Sequence, residues 1–287
     1  MMPVFTRLLG AGFRARSSAG DPMRIDVITL FPAMFHGPFE ESMIRIARQR
    51  GLVDLRVHDL RDFSREPHRK VDDRPYGGGP GMVIMPDPVF RAIEAITAEG
   101  PEHRDAEEDT RGNAGTSSAE RTGSGAVEPL LVLLTPQGRT WSRDAAWEAS
   151  RERHLVVLCG HYEGFDERIH EAFPFVEVSI GDYVLTGGEI PAMVLVDSVV
   201  RLVPGVVGDP ESLRRDSFEG ELLDHPHYTR PPVYRGLAVP EVLRSGDHAA
   251  IDSWREERAR TRTAASRPGG GLRSRAGHGK TAGPRKD

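Results

Sequence analysis

The chain has 287 residues, with 38 Lys and Arg against 43 Asp and Glu for a net charge of -5, and 38% hydrophobic residues supply core for one or two domains. A single cysteine, Cys159, excludes an intramolecular disulfide framework or a CxxC metal cluster and points to a reducing compartment. No apolar run approaches the roughly 18 residues of a membrane span, and the net charge taken alone argues against a nucleic-acid partner.

That charge is unevenly spread. Residues 1–22 carry Arg7, Arg14 and Arg16 against Asp21, and the stretch reads as an unstructured extension or mis-set start, with an organelle transit peptide as the alternative. Residues 98–128 are rich in Glu, Gly, Ser and Thr with 8 acidic and 3 basic side chains, and 259–287 hold 8 basic and 1 acidic. None of the three has the periodic apolar positions that offset ordering entropy, so all three are predicted to be disordered. The rest, 23–97 and 129–258, carries -9.

Within that body strands and helices alternate. Arg24 to Leu30 reads as a strand, and Phe39, Met43, Ile46 and Ala47 then recur at helical spacing. Leu52 to Val57 is a second strand; after a polar, glycine-rich loop, Pro86 or Pro88 opens a helix carrying Val89, Ile93 and Ile96. Three short apolar runs follow, Leu130 to Leu134, Leu155 to Cys159 and Phe175 to Ile180, with helices between them around 142–152 and 166–172. Runs of this kind suit strands covered on both faces, hence an α/β fold with a mostly parallel sheet. Pro191 to Val203 is apolar over much of its surface and is predicted to be a buried or interface helix. The chain changes character beyond Gly205, with more His, Arg and Pro, and ends in a helix near 248–258. The domains read as 23–206, a linker at 207–217 and a small helical domain at 218–258.

Each late strand feeds a glycine-bearing loop: Thr135-Pro136-Gln137-Gly138-Arg139, Gly160-His161-Tyr162-Glu163-Gly164 and Gly181 to Glu189. In a parallel sheet such loops share one rim, where open α/β folds bind ligands. There is no GxGxxG after a strand and no GK[ST], and no Lys or Arg sits at the glycines, so the loops favour a nucleoside over a polyphosphate. Singly, each is also an ordinary tight turn. Cys159 reads as a small core residue. Asp224, His225 and His227 hint at a metal, but i, i+2 histidines around a proline are a weak zinc pattern.

Four motifs make the reading specific. Gly160 to Arg168 (GHYEGFDER), Ile180 to Glu189 (IGDYVLTGGE), Asp73 to Met82 (DRPYGGGPGM) and His225 to Pro231 (HPHYTRP) resemble the bacterial tRNA (guanine-N1)-methyltransferases, members of the knotted SPOUT class, over about Met23 to Arg258. The resemblance implies a deep trefoil knot built from the three loops, with S-adenosylmethionine bound in it. Leu134, Pro136 and Gly138, then Gly160 and Tyr162, then Ile180, Gly181, Tyr183, Leu185, Gly187 and Gly188 are implied to line that pocket. It further implies a cytoplasmic homodimer with active sites shared between chains, and a target guanosine immediately 3' of the anticodon, position 37.

The chemistry asks for two groups. Guanine N1 carries a proton and attacks a sulfonium methyl poorly until a base removes it, while charge developing on O6 needs a cation. The resemblance places Asp216 as base and Arg201 at O6, and links Glu163 to magnesium; by the residues alone Asp216 reads as a helix cap or a solvated residue, Arg201 as a partner of helix carbonyls and Glu163 as an ion pair with Arg168. RNA contact is expected from Arg61, Arg65, His68, Arg69, Lys70, Arg74 and Tyr76 in one loop, and from Arg214, Arg215, His227, Tyr228 and Arg230 in another.

Overall fold

The structure, a computed structural model, describes residues 21–99, 128–208 and 222–266. The stretches expected to be disordered lie mostly outside the described residues, and Arg214, Arg215 and Asp216 lie wholly outside them. The chain divides into two compact units that part after Gly208.

In the first unit β1 (Met23–Thr29) leads through a single turn of 3-10 helix to α1 (His36–Glu40) and α2 (Ser42–Gln49), then β2 (Val53–Asp59). A two-residue pair, β3 (Asp72–Asp73) and β4 (Val83–Ile84), brackets the glycine-rich loop before α3 (Pro86–Ala98). Next come β5 (Leu130–Thr140), α4 (Arg143–Ala149), β6 (His154–Cys159), α5 (Arg168–Ala172), β7 (Val176–Ser179) and α6 (Glu189–Val200). The five long strands form one parallel sheet in the order β2-β1-β6-β5-β7.

Every residue of β1 and of β6 is buried, because these strands are paired on both edges and covered on both faces. On one face Val89, Ala92, Ile93 and Ile96 of α3, at i, i+3, i+4 and i+7, pack on Ile28, Leu131, Leu133, Val156 and Leu158. Pro86, in the first turn of α3, gives up an amide that no helical carbonyl would accept. α6 buries Ala192, Leu195, Val196, Val199 and Val200.

One polar cluster interrupts the core. Arg24 and Asp26, two apart on β1, share a face; the Asp26 carboxylate, fully buried, accepts from Arg24 at 2.7 Å, from His58 on β2 at 2.6 Å and from His154 on β6 at 2.7 Å. Arg24 also reaches the Glu99 carbonyl at 3.0 Å and its carboxylate at 3.1 Å, tying the end of α3 to the sheet. Burial alone would raise the Asp26 carboxyl, but the hydrogen bonds from His154, His58 and Arg24 outweigh it and hold the group well below the usual carboxylate range.

The described part of the second unit holds a two-stranded hairpin, β8 (Val233–Tyr234) with β9 (Leu237–Ala238), and α7 (His248–Ser266). The hairpin is absent from the sequence reading. α7 also runs eight residues past the point where that reading starts a disordered tail: Ile251, Ala259 and Thr263 keep one face buried, and Thr263 accepts the Leu223 amide at 2.8 Å. Among the described residues no helix is long and apolar enough to cross a membrane.

Candidate active site

β1, β5, β6 and β7 point the same way, so Thr29, Leu134, Cys159 and Ser179 end on one rim, and the three loops leave from it. The first loop is an excursion inside β5: Leu134 and Arg139 both stand opposite Val178, and residues 135–138 bulge out between them. Gly138 there meets β7 so closely that a Cβ would lie 2.4 Å from the Val178 amide nitrogen.

The second and third loops touch through their backbones. The Gly188 amide donates to the Gly160 carbonyl at 2.7 Å, His161 bridges Gly187, and a Cβ on Gly188 would lie 2.7 Å from the Gly160 nitrogen. A Cβ on Gly160 would meet the Leu134 carbonyl at 3.1 Å, which brings the first loop into the same junction. These glycines are needed for close approach of backbone to backbone. In the third loop a Cβ on Gly181 would strike the Tyr183 ring at 2.5 Å, and Ser179 Oγ donates to the Gly181 carbonyl at 3.0 Å.

Side chains around this junction are apolar and open to solvent: Tyr162, Tyr183, Val184 and Leu185 are all exposed, Val184 by 80%. Tyr162 sits at φ 59°, a left-handed conformation that bulky residues seldom adopt, with its ring edge-on to His161 at 4.9 Å and half exposed. Its hydroxyl is pushed up by burial and by the neighbouring Asp72, with Arg61 opposing, so it remains a hydrogen-bond donor at neutral pH. Burial, reinforced by the Glu189 carboxylate, pushes the Cys159 thiol well up, so Cys159 is a core residue and no nucleophile.

Beside the second loop lies the glycine-rich segment, where Arg74, Pro75, Gly78, Gly79, Gly81 and Met82 line a cavity of about 570 Å³. Glu163 is fixed against it: its amide donates to Met82 O at 3.0 Å, and its carboxylate occupies the space a Cβ on Gly81 would need. Arg168 does not pair with Glu163; it is held by Asp166 through two contacts of 2.7 Å.

The family model for tRNA (Guanine-1)-methyltransferase TrmD matches residues 23–270. Over 246 residues, 86% of this chain, the sequence is 48% identical to the tRNA (guanine-N(1)-)-methyltransferase of Dehalococcoides mccartyi strain 195, covering 89% of that protein. It is 47% identical over the same share to the enzyme of that name from Geobacillus kaustophilus, covering 90% of it. The chain belongs to this family.

Membership in a methyltransferase family implies S-adenosylmethionine as the donor, and the residues present fit it. The rim offers aromatic and aliphatic side chains for a nucleoside and main-chain polar groups at the glycines, with Arg139 the one Arg or Lys side chain in the three loops. All eleven positions expected around the cofactor, from Leu134 to Gly188, fall on this rim or on the loops leaving it. Glu163 stands apart, over the glycine-rich segment, with a carboxylate of the oxygen-donor kind that magnesium takes.

The expected RNA cluster is partly spent inside the protein. Arg69 pairs with Asp62 and Asp59, Lys70 with Asp73 at 3.0 Å, and Arg61 with Asp59 and the Leu30 carbonyl. Arg65, His68 and Arg74 are exposed, with no ion-pair partner among the described residues, and Tyr76 is fully exposed. In the second unit Asp224, His225 and His227 do come together, with Asp224 accepting from His227 at 2.8 Å and the two imidazole rings 4.4 Å apart. The Asp26 cluster and the buried Glu189 were missed in the sequence. Arg24 and Asp26 two apart in an apolar strand were the signal for the first; their His partners depend on strand register.

Proposed function

We propose that the protein transfers a methyl group from S-adenosylmethionine to N1 of the guanosine immediately 3' of the anticodon, position 37, giving 1-methylguanosine in tRNA. The observation that carries this is the meeting of three glycine-bearing loops at one strand rim, bearing mostly apolar and aromatic side chains, in a chain of this family. The same reading carries the deep trefoil knot, supported by the backbone contacts of Gly138 with Val178 and of Gly188 with Gly160.

When bound, S-adenosylmethionine supplies an electrophilic methyl on a sulfonium. Asp216 takes the N1 proton, freeing the ring lone pair for the methyl, and Arg201 stabilises the charge that develops on O6. Arg201 is exposed at the carboxyl end of α6, its amide capping the helix on Asp197 at 3.2 Å, so the guanidinium stem starts from a fixed point. Glu163 is assigned to magnesium. Arg65, His68, Arg74 and Tyr76 from the first unit, and His227, Tyr228 and Arg230 from the second, meet the tRNA.

The enzyme acts as a cytoplasmic homodimer. α6 presents Ile190 and Val194 at i, i+4 to solvent, 48% and 44% exposed, on the stripe that ends at Arg201, as expected of a helix completed by a second copy. Asp216→Ala tests the chemistry: methyl transfer to unmodified tRNA is abolished while calorimetric binding of S-adenosylmethionine persists. Near-normal turnover in that variant removes Asp216 from the mechanism.

A further inference from the structure

We propose that Glu189 is a positioning residue of the cofactor site, its carboxylate accepting the Nδ1 proton of His161 and so fixing the loop that carries Tyr162 and Glu163. The inference rests on reading the rim as the S-adenosylmethionine site.

Glu189 opens α6 with its side chain only 2% exposed, where the helix N-terminus favours a carboxylate. A buried carboxylate must be met by donors. One is in place: Thr29 Oγ1, at the end of β1, donates to Oε1 at 2.8 Å while accepting the Phe31 amide at 2.9 Å. The hydroxyl has one proton, so this pair of contacts fixes both its direction and that of the carboxylate. Oε2 then faces His161.

Nδ1 of His161 is a buried atom with no hydrogen-bond partner, and it stands 3.9 Å from Oε2. The space between them is kept by Gly187, where a Cβ would lie 2.3 Å from Oε2 and 2.5 Å from Nδ1. The ring is flanked by Phe31 and Tyr162, both with centroids at 4.9 Å, so its plane is set. An acceptor and an unpaired nitrogen thus face each other across a glycine, and an approach of about 1 Å makes the hydrogen bond. That approach belongs to the second loop. Gly164 N donates to His161 O at 3.1 Å, closing the turn that holds Tyr162 and Glu163, and the Tyr162 ring packs on His161 at 4.9 Å, so the position of His161 is passed to Tyr162. A cofactor bound against Tyr162 would favour the closed bond, and by linkage the closed bond would favour the cofactor.

The test uses the full chain. In Glu189→Gln the amide can keep the Thr29 contact but presents N–H where Oε2 was, so His161 must accept at Nδ1 and its proton moves to Nε2. With saturating S-adenosylmethionine, nitrogen-15 NMR of the His161 ring is expected to show the Nδ1–H tautomer in the wild type and the Nε2–H tautomer in Glu189→Gln. The dissociation constant for S-adenosylmethionine, by calorimetry, rises about tenfold, the loss of one charge-assisted hydrogen bond, while kcat at saturation changes by less than about threefold. His161→Asn, whose amide nitrogen lies near the place of Nδ1, retains affinity within about threefold, and His161→Leu does not. Affinity within about twofold of wild type in Glu189→Gln, or an unchanged tautomer, overturns the proposal. Should Glu189→Gln fail to fold, equal affinities in His161→Asn and His161→Leu overturn it instead. A wild-type chain that methylates no tRNA sinks the proposed function and leaves these binding and tautomer results to decide the role of Glu189.

Discussion

Gly188→Ala isolates the contact on which the active-site geometry depends. Gly188 has φ -82° and ψ -4°, torsions open to any residue, so alanine adds no backbone strain and tests contact alone. Its Cβ would stand 2.7 Å from the Gly160 nitrogen, 2.8 Å from the Cys159 Cα and 3.1 Å from the Cys159 carbonyl carbon. An unstrained contact between carbons needs about 3.5 Å or more. Neither partner can easily give way, because Cys159 ends the central strand, paired with Leu134, and the Gly188 amide is bound to Gly160 at 2.7 Å. The shortfall falls on backbone atoms, which puts the cost at the top of the overpacking range, about 3 kcal/mol. At about 2–4 °C per kcal/mol for a body of this size, Tm drops by about 6–12 °C. The second and third loops are pushed apart together, so the dissociation constant for S-adenosylmethionine rises about tenfold or more. Thermal unfolding with and without the cofactor, together with calorimetric titration, measures both. Gly37→Ala is the control, since a Cβ there meets nothing within 4 Å. A Gly188→Ala protein with wild-type Tm and affinity refutes the claim that these loops meet at backbone contact.

Two further predictions concern charge buried away from the rim. Burial pushes the Glu152 carboxyl up to about 7 from its ordinary 4.5, so between those values the folded state holds a proton the unfolded chain has lost, and stability falls as pH rises through that window. Glu152→Gln removes the penalty and raises urea-measured stability at pH 8 by about 2 kcal/mol, allowing for solvent screening, with little change at pH 4; an equal effect at both pH values contradicts this cause. Asp26 has the opposite sign: its folded carboxyl lies below the usual range, so its contribution is whole above about pH 4 and is lost as the pH falls toward the folded value. Asp26→Asn costs about 3 kcal/mol at pH 7 and flattens the acid limb of the stability profile, because Arg24 loses its buried partner; stability within about 1 kcal/mol of wild type at pH 7 speaks against the cluster.

The strands were legible because each is a short apolar run covered on both faces, and β1, β6 and β7 begin and end within two residues of the runs that announce them. β5 was legible only to Leu134. Its continuation to Thr140 depends on Arg139 and Thr140 re-pairing with β7 after the bulge, a contact between distant segments that no local pattern records. The glycines at 138, 160 and 188 were visible as turn residues, yet what a side chain there would strike is backbone of another segment, which is fixed only once the strands are ordered. Glu189 entered the sequence reading only as the end of a motif, and the partner its buried carboxylate needs, Thr29, stands 160 residues away. In the basic loop Arg61, Arg69 and Lys70 read as a run of cations, and their ion pairs with Asp59, Asp62 and Asp73 emerge only once the loop is folded.

The central claim is that this rim and its loops methylate N1 of one guanosine in tRNA. It is tested most directly by giving the purified full chain labelled S-adenosylmethionine and unmodified tRNA transcripts, followed by nucleoside mass spectrometry of the product. The expected product is 1-methylguanosine at position 37, with no label in a transcript with adenosine there. Label on any other base or on ribose, or none with either transcript, contradicts the claim.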